Sequence, residues 1–242
     1  MADKPYMFNS IRALLSTLFN HAIRQMDIDI TNPIPGVPKF PETPREVIVP
    51  IDKMAEFLDE LDKPIYPEVF RNAVKIMVYL GKRPGNTFAL KWSELDLANG
   101  IIHIKADKSK NKHDIIGTLP DEAIEIFRKI QKQQKSKYGV LQEFVFYCPE
   151  SATGHIVDIR KQLRKVAKAV GIDENIRPHD LRRTHGTWML NAGASIEQVS
   201  RSLDHSSIAI TQKVYAKVRL ESLRQGQSLL TSAISKARKK SN

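Results

Sequence analysis

An imidazole and a guanidinium stand three residues apart in His179-Asp-Leu-Arg182, directly after Pro178. Proline favours the first helical position, so His179 is expected in the first turn of a helix. Spacing of i, i+3 then puts His179 and Arg182 on one face. Free amides and the positive dipole end at a helix N-terminus attract anions, and a His and an Arg added there suit a phosphate. A second guanidinium, Arg83, lies in Leu80-Gly-Lys-Arg-Pro-Gly85. Glycine lets the backbone turn sharply there, and the planar Arg fork matches two phosphate oxygens. Lys110 sits among Lys105, Lys108 and Lys112. A lysine there can neutralise phosphate or, when desolvated, donate a proton. His205 follows Leu203-Asp204, and Tyr215 comes ten residues later. A tyrosine hydroxyl is a poor nucleophile at its free pKa of about 10. It attacks once cations and hydrogen bonds stabilise the phenolate.

Each of these residues also has a plainer reading. His179 could cap its helix locally and Arg182 could form a surface salt bridge. Arg83 could be a solvated loop arginine, and Lys110 part of a solvated basic turn. His205 could simply end a helix, and Tyr215 could pack half-buried with its hydroxyl at the surface. Leu90-Lys-Trp92, near Arg83, reads as core packing rather than ligand contact.

The elements that would position these groups follow from the apolar spacing. Residues 11, 14, 15, 18, 19, 22 and 23 recur at helical intervals, so Ile11–Met26 is expected as a helix. The stretch Asn32–Pro50 holds six of the thirteen prolines and reads as an extended linker. Ile51–Leu61 and Phe70–Leu80 read as helices, the second ending at the glycine–proline break around Arg83. After the Asn99-Gly100 turn, Ile101–Ala106 and Asp114–Leu119 read as strands of a hairpin whose tip is the basic loop Asp107–His113. Asp121–Gln134 is helical, followed by helices near 158–170, 179–192 and 195–203. Ala209–Ser235 is expected as helix in two pieces. The fold class is therefore α+β, mainly α-helical with a small antiparallel sheet.

Composition bounds the partners. With 242 residues, 41% of them hydrophobic, the chain can bury a sizeable core. A lone cysteine, Cys148, excludes an internal disulfide framework and Cys-rich metal sites. No apolar run approaches the roughly 18–20 residues that span a bilayer, and the N-terminus lacks a signal pattern. A reducing cytoplasmic compartment is the expectation. Lys and Arg outnumber Asp and Glu by 38 to 27, which favours a polyanionic partner. The excess is concentrated: residues 160–184 carry eight basic groups against three acids, and the last 22 residues five against one. Arg160, Lys161, Arg164, Lys165 and Arg183, with Lys108 and Lys112 on the hairpin, are the candidate contacts to such a polyanion, most often a nucleic acid. Such contacts are poor in sequence information and sensitive to salt.

Taken in order, Gly81-x-Arg83, Leu90-x-Trp92, a lysine on a hairpin, His179-x-x-Arg182, Leu203-x-His205 and Tyr215 resemble the catalytic constellation of the tyrosine recombinase (phage integrase) family. The resemblance covers about residues 45–220 and includes the intervening hairpin and helices. It implies the DNA breaking–rejoining fold of that family. By it, Arg83, Lys110, His179, Arg182, His205 and Tyr215 are the catalytic residues. The nucleophile would be Tyr215, forming a 3′-phosphotyrosine link, without ATP, metal or other cofactor. Double-stranded DNA attachment sites are the implied partner. A homo-oligomer, a tetramer on DNA, and accessory DNA-bending factors would complete the assembly, in the bacterial cytoplasm at the nucleoid, with an origin in a prophage or integrated element.

The same resemblance divides the chain into 1–40, the last part of a core-binding domain with its linker; 41–220, the catalytic domain; and 221–242, a basic tail helix. Leu223, Leu229, Leu230 and Ile234 in that tail would pack in a neighbouring protomer or fold back in cis. One departure from the family pattern stands out: Asn86 occupies the position where the family usually has Glu, three residues after the first arginine. Two alternatives share these residues, a type IB topoisomerase that relaxes supercoils and a non-catalytic DNA-binding module of the same fold.

Overall fold

The computed structural model describes residues 4–42, 47–105, 114–205, 207–215 and 231. The chain divides into two compact units, Met1–Glu46 and Val47–Asn242.

In the first unit, Pro5 opens helix α1 (Pro5–Gln25), which starts six residues earlier than the apolar spacing suggests. The proline-rich segment after it does not run free as a linker. Asn9 accepts from the Phe40 amide at 3.0 Å and donates to the Phe40 carbonyl at 2.9 Å, and Arg12 donates to the Val37 carbonyl. The Phe8 and Phe40 rings meet edge to face. Proline cannot donate a backbone hydrogen bond, so side chains of α1 supply the partners that a strand or helix would otherwise provide.

The second unit is built around one apolar helix. A short 3-10 turn at Ile51–Lys53 leads into α2 (Met54–Asp62), and α3 (Glu68–Leu80) follows. Helix α3 buries Phe70, Ala73, Val74, Met77 and Leu80, and both α5 and α7 pack on it. The break around Pro84 falls where the sequence implied, with α3 ending at Leu80, and Pro84 also starts a five-residue helix, α4 (Pro84–Phe88). Proline ends one helix and opens the next because its fixed φ and missing N–H suit only the first turn.

The sheet is antiparallel, in the order β1 (Leu95–Asp96), β2 (Ile101–Ile104), β3 (Ile115–Thr118). The hairpin register pairs Ile102 with Gly117 and Ile104 with Ile115. Strand β2 alternates exposed and buried residues, so Ile102 and Ile104 enter the core. Both strands are shorter than expected, and β1, two residues long, is too short to show a period. The hairpin tip, residues 106–113, with Lys108, Lys110 and Lys112, lies outside the described residues.

Helix α5 (Asp121–Tyr138) carries Asp121 and Glu122 in its first turn and Lys135 and Lys137 in its last, each matched to the local dipole. Its Gln134 lies buried and ties three segments: it accepts from Trp92 Nε1 at 3.0 Å and donates to the Phe144 and Val145 carbonyls at 2.9 Å. Trp92 packs against the core, edge to face with Phe127. Helices α6 (Arg160–Ala169), α7 (Pro178–Asn191), α8 (Ile196–Ser202) and α9 (Ile208–Val214) complete the unit. Ser195 and Gln198 form a reciprocal capping box at α8. Thr184 and Trp188 of α7 grip both backbone groups of Val49, at 3.0 and 2.9 Å. Among the described residues, no helix is long and apolar enough to cross a membrane. The second expected piece of the 209–235 helix falls on residues of which only Thr231 is described.

Phe127 is fully buried where α5 meets the rest of the core. Phe127→Ala is expected to lower the unfolding free energy by about 3–5 kcal/mol in urea titration. A loss below about 1 kcal/mol would mean that this core collapses around the cavity.

Candidate active site

Three chain segments converge. The first is the end of α3. Gly81 closes that helix at φ +59 and packs under α7: a Cβ built on it would lie 2.4 Å from the His185 ring and 2.9 Å from Leu203. No other residue fits both the conformation and the space. The tight turn delivers Lys82 and Arg83 in sequence. Arg83 is the cap of α4, held extended because Pro84 disfavours the helical region for the residue before it. Its Nη1 is buried without a protein partner, as are Asn86 Nδ2 and Thr87 Oγ1 one turn on. Buried donors are nearly always satisfied, so an orphaned guanidinium nitrogen marks room for an acceptor from outside.

The second segment is the start of α7. Asp180 accepts from the Arg177 amide at 2.9 Å and fixes the first turn. Pro178 is the first helical residue and His179 the second, as the sequence implied. Arg182 is not a surface ion pair. It is only 3% exposed, and donates from Nη1 to the Gly81 carbonyl at 2.8 Å and from Nη2 to the Leu203 carbonyl. A guanidinium has five N–H donors, so three remain after these two bonds. Burial, and next the charge of Arg83, push the Arg182 pKa down to about 10, against the pull of Asp204 and Tyr215. It therefore stays charged at neutral pH.

The third segment runs from the end of α8 through α9. Leu203, Asp204 and His205 leave α8, with Asp204 at φ +49. His205 Nδ1 is hydrogen-bonded to the buried Thr211 hydroxyl at 2.7 Å. Burial first, then the charges of Arg182, Arg83 and His179, push the His205 pKa down to about 4. His179 reaches solvent, yet its pKa is also lowered, first by the protein packed around it and then by Arg182. Burial is the main cause at both imidazoles, and Arg182 and Arg83 add to it at each.

Tyr215 ends α9 and departs from the half-buried reading. It is 3% exposed, packed with Val199 and Leu203, and its hydroxyl lies over Gly186 of α7: a Cβ there would stand 2.2 Å from Oη. Burial raises its pKa to about 12, although Arg182 and Arg183 pull the other way.

The structure therefore gathers Arg83, His179, Arg182, His205 and Tyr215. Lys110 lies outside the described residues, but the root of its hairpin flanks the site, since a Cβ on Gly117 would be 3.3 Å from Lys82 Nζ. Among the candidate polyanion contacts, Lys161, Arg164 and Lys165 are exposed on α6 and Arg183 is half-buried on α7. Arg160 forks onto Asp158 at 2.7–3.1 Å, which offsets its charge. Among the described residues, no group of three or more His, Cys, Asp or Glu could hold a metal ion.

Three residues escaped the sequence reading. His185 is buried, with Nδ1 2.8 Å from the Val78 carbonyl and Nε2 2.9 Å from the Ser202 hydroxyl. A carbonyl only accepts, so Nδ1 carries the proton and Nε2 accepts from Ser202. Burial pushes its pKa down to about 4, which keeps it neutral. The other two are Lys82 and Asp204, an ion pair at 2.9 Å. Their signal was adjacency: each is next to a candidate site residue, Arg83 or His205.

The sequence profile of the Phage integrase family matches residues 49–221, which include all three segments. The chain belongs to the phage integrase family. Curated relatives include the tyrosine recombinase XerC of Pediococcus pentosaceus, 29% identical over 153 residues, covering 63% of this chain and 50% of that protein. The integrase of Salmonella phage P22 is 26% identical over 224 residues, covering 88% of this chain and 53% of its own. The chain spans about half the length of these relatives. Among solved structures, the Tn1549 transposon integrase in complex with transposon right end DNA has a TM-score of 0.65 at 19% identity, covering 92% of this chain and 78% of that one. The XerA recombinase has a TM-score of 0.60 at 23% identity, covering 83% and 70%. These two establish the phage integrase fold for this chain: a mainly helical unit with a small antiparallel sheet.

Two measurements probe the site without DNA. His185 and His205 bind protons at about 4 when folded and near 6.5 when unfolded. The unfolded chain is the more protonated state between those values. Stability should hold above pH 6.5 and fall as the pH drops toward 4. Urea unfolding that stays flat across that window would refute the burial of both rings. In Gly186→Ala the new methyl must displace the Tyr215 ring. Carbon-13 NMR of labelled tyrosine should then show its phenol titrating back from about 12 toward the ordinary 10. An unmoved titration would mean that α7 shifts instead.

Proposed function

We propose that this chain carries the catalytic domain of a site-specific DNA recombinase, which cleaves and rejoins DNA through a 3′-phosphotyrosine intermediate. One observation carries the reading. Arg83 holds a buried, unpartnered guanidinium nitrogen beside Arg182, and the charges of both arginines reach His179 and His205, with the Tyr215 hydroxyl also close enough to feel Arg182. That is a site prepared for a phosphodiester.

The chemistry follows from these groups. Arg83 and the remaining N–H donors of Arg182 bind the non-bridging oxygens, where charge grows in the transition state. The carbonyl bonds of Arg182 hold it in place before DNA arrives, so little reorganisation is needed. His205 hydrogen-bonds a non-bridging oxygen, and the phosphate charge raises its pKa and that of His179. The Tyr215 oxygen attacks phosphorus, its proton passes to His179, and the P–O5′ bond breaks. Lys110 protonates the leaving 5′-oxygen. A 5′-hydroxyl then attacks the phosphotyrosine, restoring the diester and the tyrosine. Each step exchanges one P–O bond for another, so no ATP is consumed.

Residues 1–40 serve as the end of a core-binding domain, 41–220 as the catalytic domain and 221–242 as a basic tail. Exposed Lys161, Arg164 and Lys165 track the DNA backbone, with Lys108 and Lys112 from the hairpin. The partner is double-stranded DNA bearing attachment sites, bound by a tetramer of this chain with DNA-bending accessory factors. The setting is the bacterial nucleoid. The relatives found are integrases and recombinases, which favours strand exchange over a relaxing enzyme, and a complete set of reactive groups favours catalysis over binding alone.

The test is covalent capture on nicked duplexes with randomised cores, without metal or ATP, followed by denaturing recovery. Wild-type protein should form an adduct that Tyr215→Phe abolishes. Arg83→Lys and Arg182→Lys should each slow adduct formation by about 100-fold or more while remaining folded. An adduct persisting in Tyr215→Phe would falsify the nucleophile assignment, and no wild-type adduct on any core would overturn the cleavage reading.

A further inference from the structure

Two tripeptides face each other across the site, Gly81-Lys82-Arg83 and Leu203-Asp204-His205. Their first residues both offer carbonyls to Arg182. Their last residues, Arg83 and His205, are assigned to the phosphate oxygens together with Arg182. Their middle residues close on each other. Lys82 Nζ lies 2.9 and 3.0 Å from the two Asp204 carboxylate oxygens and donates to the Ser202 carbonyl at 3.2 Å. The side chains are only 7% and 10% exposed.

Resting on the recombinase reading, we propose that the Lys82–Asp204 ion pair is a positioning device for strand cleavage, locking the loop of Arg83 to the loop of His205.

Three details indicate a built feature. Asp204 stands at φ +49, a conformation Asp tolerates better than most residues, so the backbone is bent to aim the carboxylate. Gly117 of β3 leaves the space that the lysine occupies: a Cβ there would come within 3.3 Å of Nζ and 3.7 Å of Cε. The pair also settles the charge balance. Arg83, Arg182 and Lys82 crowd together, and position 86 holds Asn rather than an acid. Asp204 is the acid that pulls on both Lys82 and Arg182. A buried ion pair adds little net stability over an apolar one, so its use lies in fixing geometry.

Charge and position predict different outcomes, which separates them. Asp204→Asn keeps the shape and makes the pocket more positive; Lys82→Met makes it less so. Histidine NMR with inorganic phosphate as probe should show tighter binding in Asp204→Asn and weaker binding in Lys82→Met. Single-turnover adduct formation at saturating DNA should nevertheless slow at least tenfold in both. A protein that had merely lost structure would bind phosphate more weakly in both.

In Lys82→Met/Asp204→Asn the net charge is restored, so phosphate affinity should return while cleavage stays slow. Cleavage that recovers together with phosphate affinity would show that the pair only balances charge, and would overturn positioning. Single variants within twofold of wild type would overturn it as well. If Lys82→Met fails to fold, the isosteric Asp204→Asn decides alone, through the opposed directions of binding and cleavage. A wild-type protein that makes no adduct defeats the recombinase reading. In that case the phosphate arm still judges the pair: unchanged affinity and an unmoved His205 resonance in both single variants would overturn it.

Discussion

The buried guanidinium of Arg182 holds the site together. A charge so little exposed survives only if its N–H groups find acceptors, and two of them find main-chain carbonyls, Gly81 and Leu203. Those carbonyls end helices α3 and α8, where unpaired oxygens concentrate partial negative charge. The arginine needs the two helix ends, and the helix ends need a donor. Meeting both needs with one side chain joins segments far apart in the chain. Gly81 must be glycine so that α7 can come close enough, and His185 must be neutral so that it can pack beside two cations.

The electrostatics of the pocket follow from that joint. Arg182 stands against the like charge of Arg83 on one side and faces Tyr215 on the other, while His179 and His205 lose basicity first to burial and then to these arginines. Without a ligand this concentration of positive charge is offset by Asp204 and by backbone dipoles. A phosphate would complete it. The phenol of Tyr215, tucked over Gly186, remains protonated because burial outweighs the nearby arginines.

Much of this was legible in the residues alone. Periodicity located α3 and α5 because each buries an apolar face, whereas α7, whose buried residues are mostly polar, was bounded by Pro178 and Gly193, and the Pro178 signal put His179 in its first turn. The resemblance to the tyrosine recombinases singled out five of the residues that the structure gathers. What could not be read was set by contacts distant in sequence. Strand β1 is two residues long and exists only because β2 lies beside it. Helix α4 was hidden behind a proline and a glycine that usually mean a stop. The segment 32–42 reads as linker because its hydrogen-bond partners are side chains of α1. Lys82 and Asp204 received no reading of their own, since nothing local shows that two residues 122 apart will meet in a closed space.

The joint at Arg182 also sets an order in time. A chain made from its N-terminus acquires Gly81 early, Arg182 about a hundred residues later, and Leu203 and Tyr215 later still. Until that last stretch leaves the ribosome, the two halves of the pocket have nothing to bind them, and the arginine lacks one of its acceptors. Growing chains could carry isolated cations but not the assembled pocket. Translation itself would then hold the cations apart until the last of the three converging segments has been made.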